Sequence, residues 1–270
     1  MTDFAKPAHH ATPPPAVQKL RLWKRPWVVP LMLVVLGFLA FSIPPYTSLD
    51  PALSRVPPPE GFPLYYPFLA AHVMFSSVAL LTCGLQVWPW FRERHPVAHR
   101  RIGRVYIFGG VIPGGLAGFV VGASTPYGDG ARVSNMLLAT LWTLFTVTGF
   151  RMARQHRYAD HRRWMLRSFA LTASIITNRI WGLVMFLILL PEFETTYGGD
   201  MQEVIKASAG VTTWLGWTVP LLIVEWWLVE RGRARRRAGA GRRSGPADPP
   251  MDAAAAMASD KVSAGDTQAP

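Results

Sequence analysis

The chain has 270 residues, 50% apolar, 12% aromatic and 16% charged, with a formal net charge of +12. Its apolar residues gather in long runs, so the basicity reads as a membrane-topology signal and not as a nucleic-acid surface. The single cysteine, Cys83, excludes an intrachain disulfide and any cysteine-held metal cluster.

In chain order, residues 1–22 are rich in Pro, Ala and His and read as a disordered cytoplasmic arm, with His9 and His10 solvated. Six apolar blocks follow: Trp27–Ile43, Tyr65–Trp90, Val105–Ala123, Val133–Arg151, Ser168–Leu190 and Val211–Val229. Their lengths, roughly 17 to 26 residues, suit a ~30 Å hydrocarbon core. Trp23, Trp27, Trp88, Trp90, Trp226 and Trp227 lie near block ends, where an interfacial aromatic belt belongs. The expected fold is all-α, a six-transmembrane helix bundle over 23–230.

Charge sets the expected orientation. The N-terminal arm, the 91–104 loop, the 151–167 loop and the tail carry 5, 5, 6 and 8 Lys/Arg, while the alternate connections carry only Arg55, Arg132 and Lys206. Both termini and both basic loops are therefore expected on the cytoplasmic side, in contact with anionic lipid headgroups. No small-x-small cleavage site closely follows the first block, which reads as a retained anchor.

Residues 44–64 are dense in proline and predict an extended outer strap. Residues 191–210 form the other long outer loop, with a short amphipathic helix expected over 201–208. The 231–270 segment reads as a disordered basic cytoplasmic tail. In the third block Gly110, Gly114, Gly118 and Gly122 recur every fourth residue beside Pro113. That stripe suits close helix packing, the alternative being a flat cofactor laid against it. Thr140, Thr143 and Thr146 read as back-bonded packing residues.

The polar residues fall on helix faces. His72, Ser76, Cys83 and Gln86 share one stripe of the second block. His99 shares a face with Gly103, Tyr106 and Gly110 if its helix begins near Pro96. His161, Met165, Ser168, Thr172 and Arg179 share another, with Asp160 as a candidate cap. His161 to Arg179 spans ~27 Å of helix, so two polar layers are expected. His99 and His161 would share the cytoplasmic edge, and His72, Asn178 and Arg179 the outer half. Arg179 stands out, because a guanidinium keeps its charge and costs ~3 kcal/mol or more at mid-membrane without a partner.

Two stretches nearly repeat each other: His99-Arg-Arg-Ile-Gly-Arg-Val-Tyr106 and His161-Arg-Arg-Trp-Met-Leu-Arg-Ser168. With His72 upstream and Arg179 downstream, they resemble a bacterial family of predicted membrane proteins, domain-of-unknown-function family 2306. The matching positions are His72, then His99, Arg100, Gly103, Arg104 and Tyr106, then His161, Arg162, Trp164, Met165, Arg167 and Ser168, then Arg179. The likeness covers about residues 65–190. It implies a multi-pass protein of the bacterial cytoplasmic (inner) membrane and carries no established activity. A lesser likeness is to ascorbate-reducible transmembrane b-type cytochromes. It implies a haem b between His99 and His161; the departure is that His72 has no histidine partner on the fourth block.

Three functions remain open at this level. In membrane electron transfer, His99 and His161 are axial haem ligands, Arg100, Arg104, Arg162 and Arg167 meet propionates or headgroups, and the outer layer takes a quinone or small anion. In a transporter or sensor, His72, Asn178 and Arg179 bind a small anion. In a non-catalytic interaction protein, the two motifs lock helix ends to headgroups. Phosphate-binding loops, dinucleotide fingerprints, zinc-protease motifs and nucleophile elbows are absent from the sequence, which argues against a soluble-type hydrolase or dehydrogenase; whether the protein is an enzyme of another kind stays open.

Overall fold

The computed structural model describes residues 27–243, with side chains described through 234. The disordered arm expected over 1–22, and the part of the expected tail beyond 243, lie outside the described residues.

Every regular element among the described residues is helical. The first block forms α1 (Val28–Ser42), an apolar helix of 15 residues. Ile43 keeps helical torsions, φ −73° and ψ −42°, and leads into α2 (Pro44–Thr47). Proline is accepted there because first-turn N–H groups have no intrahelical acceptor to lose. The strap expected over 44–64 therefore begins as helix. It also holds a short 3-10 turn at Pro51–Leu53, where the Asp50 carboxylate accepts from the Ala52 N–H at 2.9 Å.

α3 (Tyr65–Gln86) fills most of the second block but ends before Trp90. Pro89 has no N–H to continue the ladder, and it opens α4 (Pro89–Arg94) instead. Pro96 opens α5 (Pro96–Arg104), the early start on which the His99 face depends. A π-helical segment, Val105–Val111, joins α5 to α6 (Ile112–Ala123). Pro113 accounts for it. Its ring crowds the Gly109 carbonyl and offers no N–H, and a wider turn relieves both problems.

α7 (Asp129–Arg154) follows a turn at Gly128, whose φ of +88° suits glycine. The fifth block begins earlier than its apolar run, as α8 (Tyr158–Thr172), and bends at Ala173 into α9 (Ser174–Leu189). Asp160 does not cap α8. It lies inside the first turn and accepts from the Arg157 guanidinium at 2.7 and 3.0 Å. The helix expected over 201–208 is not separate either, being the opening turns of α10 (Met201–Arg243). Asp200 starts it by accepting from the Gln202 N–H at 2.7 Å.

Among the described residues, five stretches are long and apolar enough to cross a membrane: Tyr65–Gln86, Pro96–Ala123, Asp129–Arg154, Tyr158–Glu192 and Met201–Ala234. They correspond to the second through sixth blocks, while the first forms the shorter α1. This is a helical membrane protein, and its outward apolar side chains meet lipid.

One compact unit ends at Leu221 and a second begins at Leu222. In the second, the described residues continue α10 to Arg243, past the point where composition sets the tail. There the Arg231 guanidinium lies 4.0 Å over the Trp227 ring, and Arg233 pairs with Glu230 at 2.7 Å.

In the first unit the core is built from α3, the π segment, α7, α8 and α10, with Ala79, Tyr106, Val111, Trp142, Leu171 and Trp217 buried. The glycine stripe is a packing face. A Cβ at Gly110 would stand 2.9 Å from the Ala79 backbone, and one at Gly114 would stand 3.0 Å from Ser76 Oγ. One at Gly118 would stand 2.6 Å from His72 Nδ1. α6 thus lies directly on α3, which leaves no room there for a flat cofactor. Thr140, Thr143 and Thr146 of α7 bond back to the Met136, Ala139 and Trp142 carbonyls, as their spacing suggested.

Candidate functional site

The two histidines of the repeated motif come to the same end of the bundle. His161 Nδ1 donates to the Gly149 carbonyl at 2.8 Å, which ties α8 to α7. The His99 carbonyl accepts from Gln86 Nε2 at 3.0 Å, which ties α5 to α3. The His99 ring has Arg92, His161 and Arg100 as ionisable neighbours, so the two motif histidines share a neighbourhood. His99 Nδ1 is buried without a partner. Arg100, Arg104 and Arg162 are exposed at this end, and Arg167 lays its guanidinium 4.7 Å over the Trp164 ring. Among the described residues there is no group of three His, Cys, Asp or Glu able to hold a bare metal ion.

Deeper in the bundle the two repeats meet at equivalent positions. Tyr106 ends the first repeat and Ser168 ends the second, and their hydroxyls lie 2.5 Å apart. Tyr106 also reaches Thr172 Oγ1 at 2.7 Å. Trp142 Nε1 donates to that same oxygen at 2.9 Å, and Thr146 Oγ1 lies 2.6 Å from Ser168 Oγ. These side chains are almost wholly buried, and every one has a partner. From spacing alone Tyr106 has a helix face but no partner. The equal spacing of Tyr106 and Ser168 from their histidines was the signal available.

Above this polar lock lies a cavity of about 640 Å³. Trp142 and Thr172 belong to both, so the lock forms part of its wall. His72 from α3, together with Asn178 and Arg179 from α9, lines the cavity, so the expected outer layer is brought together. His99 and His161 do not line it. His72 is held rigidly: its Nδ1 is 2.8 Å from the Gly114 carbonyl, which can only accept, so Nδ1 carries the proton. Asn178 packs against Gly216 of α10, where a Cβ would come within 2.9 Å, and Thr177 donates to the Gly216 carbonyl.

Several lining residues escaped the sequence reading. Arg55 lines the cavity from the Pro-rich connection, anchored by Nη2 to the Phe41 carbonyl at 2.8 Å and stacked 3.6 Å from the Phe41 ring. Arg179 feels Arg55, Tyr46 and Tyr127 as its charged and phenolic neighbours. Among the described residues no carboxylate lines the cavity or pairs with Arg179. Tyr127 lies between α6 and α7, where burial pushes its phenol above the ordinary value while Arg179 pulls the other way. At neutral pH it is a hydroxyl donor. The rest of the wall is mostly apolar, with Phe38, Leu138 and Trp217 among its members, interspersed with hydroxyl and amide groups such as Asn135, Ser174 and Thr213. Two guanidiniums and several donors therefore line a largely apolar, partly open cavity, and both arginines keep exposed surface. Two guanidiniums on one apolar wall attract a negative charge and can donate charge-assisted hydrogen bonds to it.

No curated protein and no solved structure matches the chain. A family model described as a predicted membrane protein, DUF2306, matches residues 69–228. The match takes in both repeats, the lock and much of the cavity wall. It also runs past the expected limit near residue 190 into α10. Spanning more than half of the sequence, it shows that the chain belongs to this family of predicted membrane proteins.

Proposed function

We propose that this protein binds a small organic anion in the cavity between α3, α9 and α10, as a transporter or sensor. The observation that carries the reading is a cavity of about 640 Å³ lined, among the described residues, by Arg55, Arg179 and His72 and by no carboxylate. A volume in the range of roughly 300–1,000 Å³ suits a small molecule. The mixed wall suits one with an anionic group and an apolar body. A quinone matches the size and the apolar wall but brings no charge to meet the two arginines.

The topology that goes with this reading has six spans. α1 runs through Ile43 into α2 with helical torsions, and together they reach the roughly 20 residues a bilayer core requires. An even count returns the chain to its starting side. The positive-inside bias then puts both termini and the His-Arg loops in the cytoplasm of a bacterial cell, with Arg100, Arg104 and Arg162 at anionic headgroups.

The test is equilibrium binding of 1-naphthalenesulfonate to the full-length protein in lipid nanodiscs. Saturable binding is expected, with Arg179→Gln weakening it about tenfold or more, the effect of losing a charge-assisted hydrogen bond worth ~1.5–3 kcal/mol. Equal affinity in the variant defeats the reading.

A haem b between His99 and His161 is the second reading. It is favoured by His161, whose Nδ1 rests on a carbonyl as metal-bound histidines usually do. The packing opposes it: neither histidine lines the cavity, and a Cβ at Gly149 would meet Met165 Sδ at 2.8 Å and Trp164 Cβ at 3.3 Å. An oxidised and dithionite-reduced spectrum of protein from haem-replete cells decides it. The packing predicts no Soret band.

A further inference from the structure

Resting on the anion reading of the cavity, we infer that the anion enters together with one proton, which His72 takes on Nε2. The geometry of the ring comes first. Nδ1 donates to the Gly114 carbonyl at 2.8 Å, with Ser76 Oγ also near it at 3.4 Å. Gly118 lies so close that a Cβ there would sit 2.6 Å from Nδ1 and 2.7 Å from Cε1. The ring is clamped between its own helix and a face of α6 that has no side chains. One tautomer is fixed, and Nε2 is the nitrogen left to gain or lose a proton.

The charged and titratable groups around the same cavity are few. α6 presents glycines at Gly114 and Gly118, and α3 adds Ser76 and the Tyr65 phenol. α9 supplies Arg179, and the connections supply Tyr46, Arg55 and Tyr127. α1, α7, α8 and α10 line the cavity with no carboxylate, histidine or lysine. Guanidiniums keep their charge, and phenols as a class do not change theirs between about pH 5 and 8. Among the described lining residues, His72 is thus the group whose class titrates in that window.

An imidazolium in the empty cavity would add a third positive charge to Arg55 and Arg179. With an anion present, the same charge is attracted. The anion must therefore favour protonation of His72, and by linkage the proton must favour the anion by the same factor. A transporter built this way takes up a proton with each anion. The cargo and its proton then enter with no net charge, which removes the cost of moving an anion against an inside-negative potential.

The experiment is calorimetric titration of the full-length protein in nanodiscs with 1-naphthalenesulfonate, an anion that stays ionised throughout. It is run in two buffers of different ionisation enthalpy between about pH 6 and pH 8. In the wild type the observed enthalpy should depend on the buffer, with a slope approaching one proton taken up per probe bound. Affinity should strengthen as pH falls. His72→Gln offers a donor to the Gly114 carbonyl but cannot titrate. Its slope should vanish, and its affinity should stay at the weak wild-type value of high pH. Wild-type binding without proton uptake overturns this inference and leaves the anion site standing, a result that needs no variant to fold. Proton uptake that persists in a folded His72→Gln or His72→Asn protein overturns it as well. No saturable wild-type binding, or binding indifferent to Arg179→Gln, removes the anion site itself.

Discussion

The polar lock and the cavity sit side by side on the same helices and treat their polar groups in opposite ways. In the lock, Tyr106, Trp142, Thr146, Ser168 and Thr172 satisfy one another through bonds of 2.5 to 2.9 Å. In the cavity, Arg179 lies near Arg55 and two tyrosines, with no carboxylate among the described residues of the wall. A closed hydrogen-bond network rigidifies; a guanidinium in a cavity wall with no carboxylate beside it invites an anionic ligand. The two regions share Trp142 and Thr172, so a site with free valence is built directly on a platform with none.

The sharpest way to break this contrast is to empty the lock. Tyr106 is 1% exposed, and Tyr106→Ala removes a buried ring along with its hydroxyl. A loss of about 3–5 kcal/mol is expected, seen as loss of the cooperative thermal transition in detergent. Tyr106→Phe keeps the ring and should cost about 1–2 kcal/mol. Arg179→Gln should do the reverse. Removing an unpaired charge from a cavity wall should leave thermal stability equal or higher while anion binding falls. A fall in stability comparable to that of Tyr106→Ala would make Arg179 a structural residue and erase the distinction between the regions.

A smaller effect is expected at the seam. Gly118→Ala would push a methyl group to within 2.6 Å of His72 Nδ1. The ring must swing, and its bond to the Gly114 carbonyl is lost at a cost of about 1 kcal/mol. Unfolding measurements should show that cost together with a blunted pH dependence of anion binding. A variant as stable as the wild type, with its pH dependence intact, would mean the ring is not clamped.

The contrast was only half legible in the sequence. The apolar blocks, the threonine back-bonds and the depth match of His72 with Arg179 follow from period and spacing, which are local properties. The ends of elements were harder. Pro89 stopped α3 early, and Pro44 opened a helix where proline density suggested a strap. Asp160 took an ion pair with Arg157 in place of a cap. What period cannot give is partnership between distant segments. Arg55 comes to the cavity because its guanidinium rests on Phe41, fourteen residues earlier and on another element. Tyr106 meets Ser168 across 62 residues. The repeat marked both positions as equivalent, but only the folded chain brings them together.

The smallest prediction tests whether the clamp on His72 rests on one bond or two. Ser76 Oγ is 3.4 Å from His72 Nδ1, while the Gly114 carbonyl is 2.8 Å from the same atom. A ring N–H directed at the nearer carbonyl has little left for a hydroxyl at the edge of hydrogen-bonding range. Ser76→Ala should therefore change stability by less than about 0.5 kcal/mol and leave anion affinity and its pH dependence unchanged. A loss near 1 kcal/mol, or a shift in the pH dependence, would instead make Ser76 a second anchor of the ring. The α3 face of the cavity would then share the positioning now assigned to α6.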